Sequence, residues 1–153
     1  MEPYQILHIH GSVNAKEDGP PIIGHGNDKN ALLAKEKETK ASENYWEKES
    51  SIYHVFAEYY QDTRKDVNYF ISTNSRFFKR LYNVEEVNVI GHSLGEVDMP
   101  YFQKVLDNTE SDILWNIYYY FEEEKDALFQ RALQIGIKME NIRLCSTEEF
   151  YVI

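Results

Sequence analysis

Two hydrophobic periods alternate along the chain. Tyr4 to His10 (YQILHIH) alternates apolar and polar positions as a short strand does, and it stops at Gly11. Ile22-Ile23-Gly24 reads as a second, very short strand. Ile52, Val55, Phe56, Tyr59 and Tyr60 then recur at three- and four-residue spacing, one stripe of an amphipathic helix, and Phe70, Phe77, Phe78 and Leu81 predict another. Val87 to Ile90 is a strand running into Gly91. Asp98-Met99-Pro100 opens a helix, with Asp98 as N-cap and proline in the first turn, where its missing N–H costs nothing. Ile113 to Tyr120 is the longest strand candidate. Glu122-Glu123-Glu124 places acidic charge at the positive end of a helix that Gly136 closes. Asn141 to Cys145 is another strand, and Ser146 to Ile153 reads as either a capped helical turn or an edge strand.

Strand and helix in alternation, with crossovers of about ten residues or more, predict a parallel sheet covered by helices. The expected fold is α/β: a mainly parallel, Rossmann-like sheet of about four strands with helices on both faces. Residues 1–153 read as a single α/β domain, with 14–50 as an irregular charged insertion. Within that insertion Gly19-Pro20-Pro21 breaks regular structure, and Lys35 to Glu49 alternates in charge like a solvated loop or exposed helix. The expected core is Ile6, Ile9, Phe56, Phe77, Val87, Val89, Phe102, Leu106, Leu114, Ile117, Leu128, Leu133 and Leu144.

Composition narrows the classes. A length of 153 residues with 42% apolar and 27% charged positions suits one globular core. No apolar run approaches the roughly 20 residues of a membrane helix, and the first residues lack a signal peptide's basic and apolar regions. Cys145 is alone, so neither an internal disulfide nor a cysteine-only metal site can form. The expected address is cytoplasmic. A net charge of −10 argues against nucleic acid as a partner. The 12 tyrosines suggest half-buried amphipathic surface, which suits a protein partner or a homo-oligomer.

In a parallel α/β sheet ligands bind beyond the carboxyl ends of the strands. His8, His10, Ser12, His92, Ser93 and Asp98 fall at or just past two such ends. Gly91-His92-Ser93-Leu94-Gly95 matches the nucleophile elbow G-x-S-x-G, but all five histidines precede Ser93, so the order Ser…Asp…His is impossible. Two further chemistries fit the same edge. His8, His10, His25 and His92 with Asp98 offer imidazole and carboxylate ligands to a metal such as zinc. Alternatively, Gly91 and Gly95 let the backbone approach a phosphate or ribose, with Ser93 supplying a hydroxyl. Glu96 and Asp98 favour ribose hydroxyls over a bare phosphate there.

The blocks His10-Gly11-Ser12, Ile22-Ile23-Gly24-His25-Gly26 and Val89-Ile90-Gly91-His92-Ser93-Leu94-Gly95-Glu96-Val97-Asp98, followed by Tyr101-Phe102 and Trp115-Asn116-Ile117-Tyr118-Tyr119, resemble AbiH-type bacteriophage abortive-infection proteins. They resemble the C-terminal region of such proteins; the family's glycine-rich opening strand–loop has no counterpart here. A more distant resemblance is to sirtuin-like domains. It implies half of a sirtuin-like fold, a catalytic set of His10, Ser93 and Asp98, and contacts to NAD from Gly11, Ser12, Gly91, His92 and Gly95. The implied reaction is cleavage of the bond between nicotinamide and ribose, with His10 as base. Three functions are expected on these grounds: an NAD- or nucleotide-acting defence enzyme, a non-catalytic sensor or partner-binding module, and a metal-dependent hydrolase built on the histidines.

Overall fold

The computed structural model describes residues 6–12, 21 and 28–150, and the chain divides into two compact units, 1–66 and 67–153. The expected strand at Ile22-Ile23-Gly24 lies outside the described residues, as do His25 and the first two residues of the Tyr4–His10 run.

In the first unit, helices α1 (Asp28–Glu43) and α2 (Glu47–Asp62) pack as an antiparallel hairpin. Within the 14–50 segment, 28–43 and 47–50 are helical, the exposed-helix alternative for its alternating charges. The turn between them is tight: Tyr45 takes a left-handed φ of 58°, and the Trp46 N–H returns to the Ala41 carbonyl at 2.8 Å. The least exposed line on α1 is Ala31, Ala34, Glu38 and Ala41, and on α2 it is Ser50, Tyr53, Ala57 and Tyr60. Both lines step by three and four residues, so the seam alternates small side chains with Glu38, Tyr53 and Tyr60. The conspicuous stripe Ile52, Val55, Phe56 and Tyr59 lies off that seam, and Phe56, expected in the core, is 49% exposed.

The stretch expected as the first strand is irregular from Ile6 to His8, then turns, with the Gly11 N–H donating to the His8 carbonyl at 2.9 Å. Ile6, another expected core residue, is 75% exposed. β-propensity fits a residue to a pleated surface and does not supply the paired neighbour that a strand requires.

The second unit contains the sheet. After α3 (Val67–Thr73) and α4 (Ser75–Phe78) come β1 (Glu86–Val89), α5 (Met99–Leu106), β2 (Leu114–Tyr119), α6 (Lys125–Ile135), β3 (Ile142–Ser146) and the one-turn α7 (Thr147–Phe150). The strands are parallel in the order β1-β2-β3, with Val87 beside Trp115 and Trp115 beside Ile142. Among the described residues the sheet has three strands, not about four. Its order advances without reversing, and crossovers of one hand then place both connecting helices on the same face. Side chains follow: Phe102, Val105 and Leu106 from α5, and Leu128, Ala132 and Ile135 from α6, pack on Val89, Trp115, Ile117 and Tyr119. The expected crossover helices on both faces are thus corrected to one. The opposite face carries a polar row, in which Asn116 is buried and donates to Glu86 at 3.1 Å and Asn88 at 3.0 Å. Phe150 of α7 meets Tyr118 edge-on at that face.

Local signals in the sequence set the ends of two of these helices. Gly136 ends α6 at φ 102°, a left-handed position where a side chain is strained. Ser146 caps α7 reciprocally: its N–H donates to Glu149 at 3.0 Å, and its hydroxyl accepts from the Glu148 N–H at 3.3 Å.

Candidate functional site

A cleft of about 680 Å³ opens at the carboxyl ends of the strands, between the β1–α5 loop and the start of α6. That volume lies in the range of small-molecule sites. Gly91, His92 and Ser93 form one wall. Tyr118 and Tyr120 bring aromatic surface from the end of β2, Glu123 and Arg131 bring opposite charges from the α6 side, and Thr147 closes the β3 end.

The β1–α5 loop is held in an unusual shape. Gly91 turns through φ 65°, and a side chain added there would meet nothing within 4 Å. Leu94 takes φ 53° yet is fully buried, a left-handed backbone for a branched aliphatic residue. Burial of its side chain opposes that cost, and His92 adds a second restraint. The Leu94 N–H donates to His92 Nδ1 at 2.8 Å. An Nδ1 that accepts carries no proton, so the ring proton sits on Nε2, which faces the Asp98 carboxylate at 3.4 Å. The ring rests edge-on against Phe102, with centroids 4.8 Å apart. On the far side, Arg131 of α6 donates to the Ser93 carbonyl at 2.7 Å. The loop is clasped from both ends.

The β2–α6 corner is equally fixed. Glu124 accepts the N–H groups of Phe121 and Tyr120, both at 3.0 Å, and these bonds hold its carboxyl below the usual range. Glu122 meets Lys125 at 2.7 Å and accepts the Tyr119 hydroxyl at 3.1 Å, so Lys125 and then Tyr119 lower its pKa. Lys125 is raised in turn by Glu122 and lies over the Tyr119 ring at 4.4 Å.

The residues expected at the site distribute as follows. Gly91, His92 and Ser93 line the cleft. Gly95 lines a neighbouring groove with Glu96, Met99 and Arg131. Asp98 stands at the N-cap position of α5 but makes no side-chain cap bond, and its carboxylate faces His92 instead. His10, Gly11 and Ser12 belong to the first unit. Among the described residues no three His, Cys, Asp or Glu side chains form a group that could hold a metal ion. Tyr118, Tyr120, Glu123 and Arg131 were not anticipated. The parallel-sheet rule could have found Tyr118, Tyr120 and Glu123, because it brings the end of β2 to the same edge as Gly91.

A family model described as bacteriophage abortive infection AbiH matches residues 1–119. The chain belongs to the AbiH family. The matched region ends at Tyr119, the last residue of β2, so it contains the clasped loop and one wall of the cleft. Arg131 and the rest of α6 follow it. No curated protein and no solved structure matches this AbiH chain. No helix among its described residues is long and apolar enough to cross a membrane.

Proposed function

We propose that this AbiH-family chain acts in abortive infection through a small-molecule site, the cleft at the carboxyl ends of β1, β2 and β3, and that its ligand is a nucleotide of the NAD class. The observation that carries this reading is the convergence of Gly91 and Ser93, the Tyr118 and Tyr120 rings, and the Glu123 and Arg131 charges around one cavity. Aromatic faces suit a base, carboxylate oxygens suit ribose hydroxyls, and a guanidinium suits a phosphate. These residues fit such a ligand without a metal.

Two assignments follow. Ser93 and the Gly91 backbone contact the ligand, whereas His92 and Asp98 hold the loop that presents them. If the nicotinamide–ribose bond is the one cleaved, His92 is a poor base, since its Nδ1 is engaged by Leu94. NAD, when bound, supplies the labile bond.

The test is calorimetric titration of the full chain with NAD and with ADP-ribose. Saturable binding that vanishes in Ala127→Trp, which fills the cleft from an exposed position on α6, supports the reading. Heats no larger than dilution for both compounds would overturn it. The second reading, a partner-binding module, draws on the exposed Ile52, Val55, Phe56 and Tyr59 of α2.

A further inference from the structure

Among the described residues, Arg131 is the one Lys or Arg side chain lining the cleft, and it also borders the groove beside Gly95 and Glu96. One of its N–H groups is engaged: Nη1 donates to the Ser93 carbonyl at 2.7 Å. That bond fixes the planar group at the cleft wall. A guanidinium carries five N–H donors in a rigid fork, so a fork steadied by one backbone contact can still grip an oxyanion through others. Two carboxylates, Glu123 and Glu124, share the wall, and Glu123 is the one that suits a ligand's ribose hydroxyls. Glu124 is turned to the Phe121 and Tyr120 amides, so its lone pairs are directed at the corner. Asp98 is turned to His92, on the other side of the loop. The sequence pattern had set Glu96 and Asp98 against a phosphate near Gly91. Neither lines the cleft, which moves the favourable place for an anion to Arg131.

We infer that Arg131 is the specificity-determining residue of the cleft, binding the phosphate or diphosphate group of the ligand while keeping its bond to Ser93. This rests on the proposed nucleotide site and names the group that sets its selectivity. No covalent step is involved. The Ser93 bond also gives the anion a structural consequence: a ligand held by Arg131 is joined through one side chain to the loop that carries Gly91.

The experiment titrates the full chain with ADP-ribose, adenosine and inorganic pyrophosphate, in wild type, Arg131→Gln and Arg131→Lys. Wild type is expected to bind ADP-ribose at least ~10-fold tighter than adenosine, as charge-assisted pairing predicts. Arg131→Gln should remove that preference by weakening ADP-ribose far more than adenosine, and Arg131→Lys should restore part of it. An Arg131→Gln variant that keeps the full preference overturns the inference. Pyrophosphate bound by wild type and lost in Arg131→Gln, with neither nucleotide nor nucleoside bound, supports Arg131 and overturns the nucleotide reading. No binding of any of the three overturns both. If Arg131→Gln does not fold, Ala127→Glu substitutes for it: a negative charge added at the cleft should weaken ADP-ribose far more than adenosine, and equal weakening counts against the inference.

Discussion

The backbone N–H of Leu94 donates to Nδ1 of His92, two residues earlier, at 2.8 Å. This bond explains the sequence Gly-His-Ser-Leu-Gly better than a nucleophile elbow does. The histidine sits where it can accept the amide of a buried left-handed residue, and its other nitrogen faces Asp98.

Removing that acceptor should leave the Leu94 amide unsatisfied. His92→Ala is expected to lose about 1–3 kcal/mol, the usual cost of an orphaned buried donor. His92→Asn places an oxygen near the Nδ1 position and should recover most of the loss, whereas His92→Gln should not. Urea denaturation of the three variants decides it. Equal stability of Ala and Asn would show that the bond does not stabilise the loop.

Asp98 has the position of an N-cap without the bond. Asp98→Ala should therefore cost well under the ~1 kcal/mol typical of a lost cap, because its contact with His92 is partly exposed and weak. Under the proposed function, ligand affinity in the cleft should hardly change. Loss of binding with unchanged stability would restore Asp98 to the ligand site.

Trp115 is fully buried at the centre of the sheet, and its Nε1 has no hydrogen-bond partner among the described residues. Trp115→Phe removes that unpaired donor along with some packing volume. The two effects oppose each other, so the net loss should be under about 2 kcal/mol, less than the 3–5 kcal/mol of a tryptophan-to-alanine change. Thermal denaturation of Trp115→Phe beside Trp115→Ala measures both. Trp46 is exposed, so acrylamide should quench its fluorescence in the native protein and leave that of Trp115 largely unaffected.

The Glu124 carboxyl has a lowered pKa because Phe121 and Tyr120 donate their amides to its charged form. A lowered folded-state value means the stabilisation is present above the unfolded-state pKa of about 4.3, and it is lost as pH falls through the folded value. Glu124→Gln should thus be less stable than wild type at neutral pH, with the gap closing below about pH 4. A gap that persists unchanged at low pH would place the effect in packing rather than charge. Denaturant midpoints collected from pH 7 down to pH 3 provide the comparison.

Legibility differed between element and site. Helix and strand periods gave β1, β2, β3, α5 and α6 to within about three residues, because each carries its own pattern and its own stop, such as Gly136. The hairpin was harder. Ile52, Val55, Phe56 and Tyr59 mark α2 as a helix, but the seam with α1 mixes Ala31, Ala34, Ala41 and Ala57 with Glu38, Ser50, Tyr53 and Tyr60, and such a mixed line does not stand out as an apolar stripe. Gly91, His92 and Ser93 were found through their motif. Arg131 was not, since 37 residues separate it from the next lining residue of that loop and no local pattern links them.

The sequence by itself determined the α/β class, the breakpoints of the second unit, the acidic balance and the motif that identifies the family. These properties are local or additive, so each can be read along the chain. Tertiary structure alone decided that the crossover helices share one face, that His92 and Asp98 bind each other, and that Arg131 reaches the Ser93 carbonyl. The first and the last of these depend on the order of the strands in the sheet. That order is a property of the packed whole, because it follows from which backbones pair and which faces become buried.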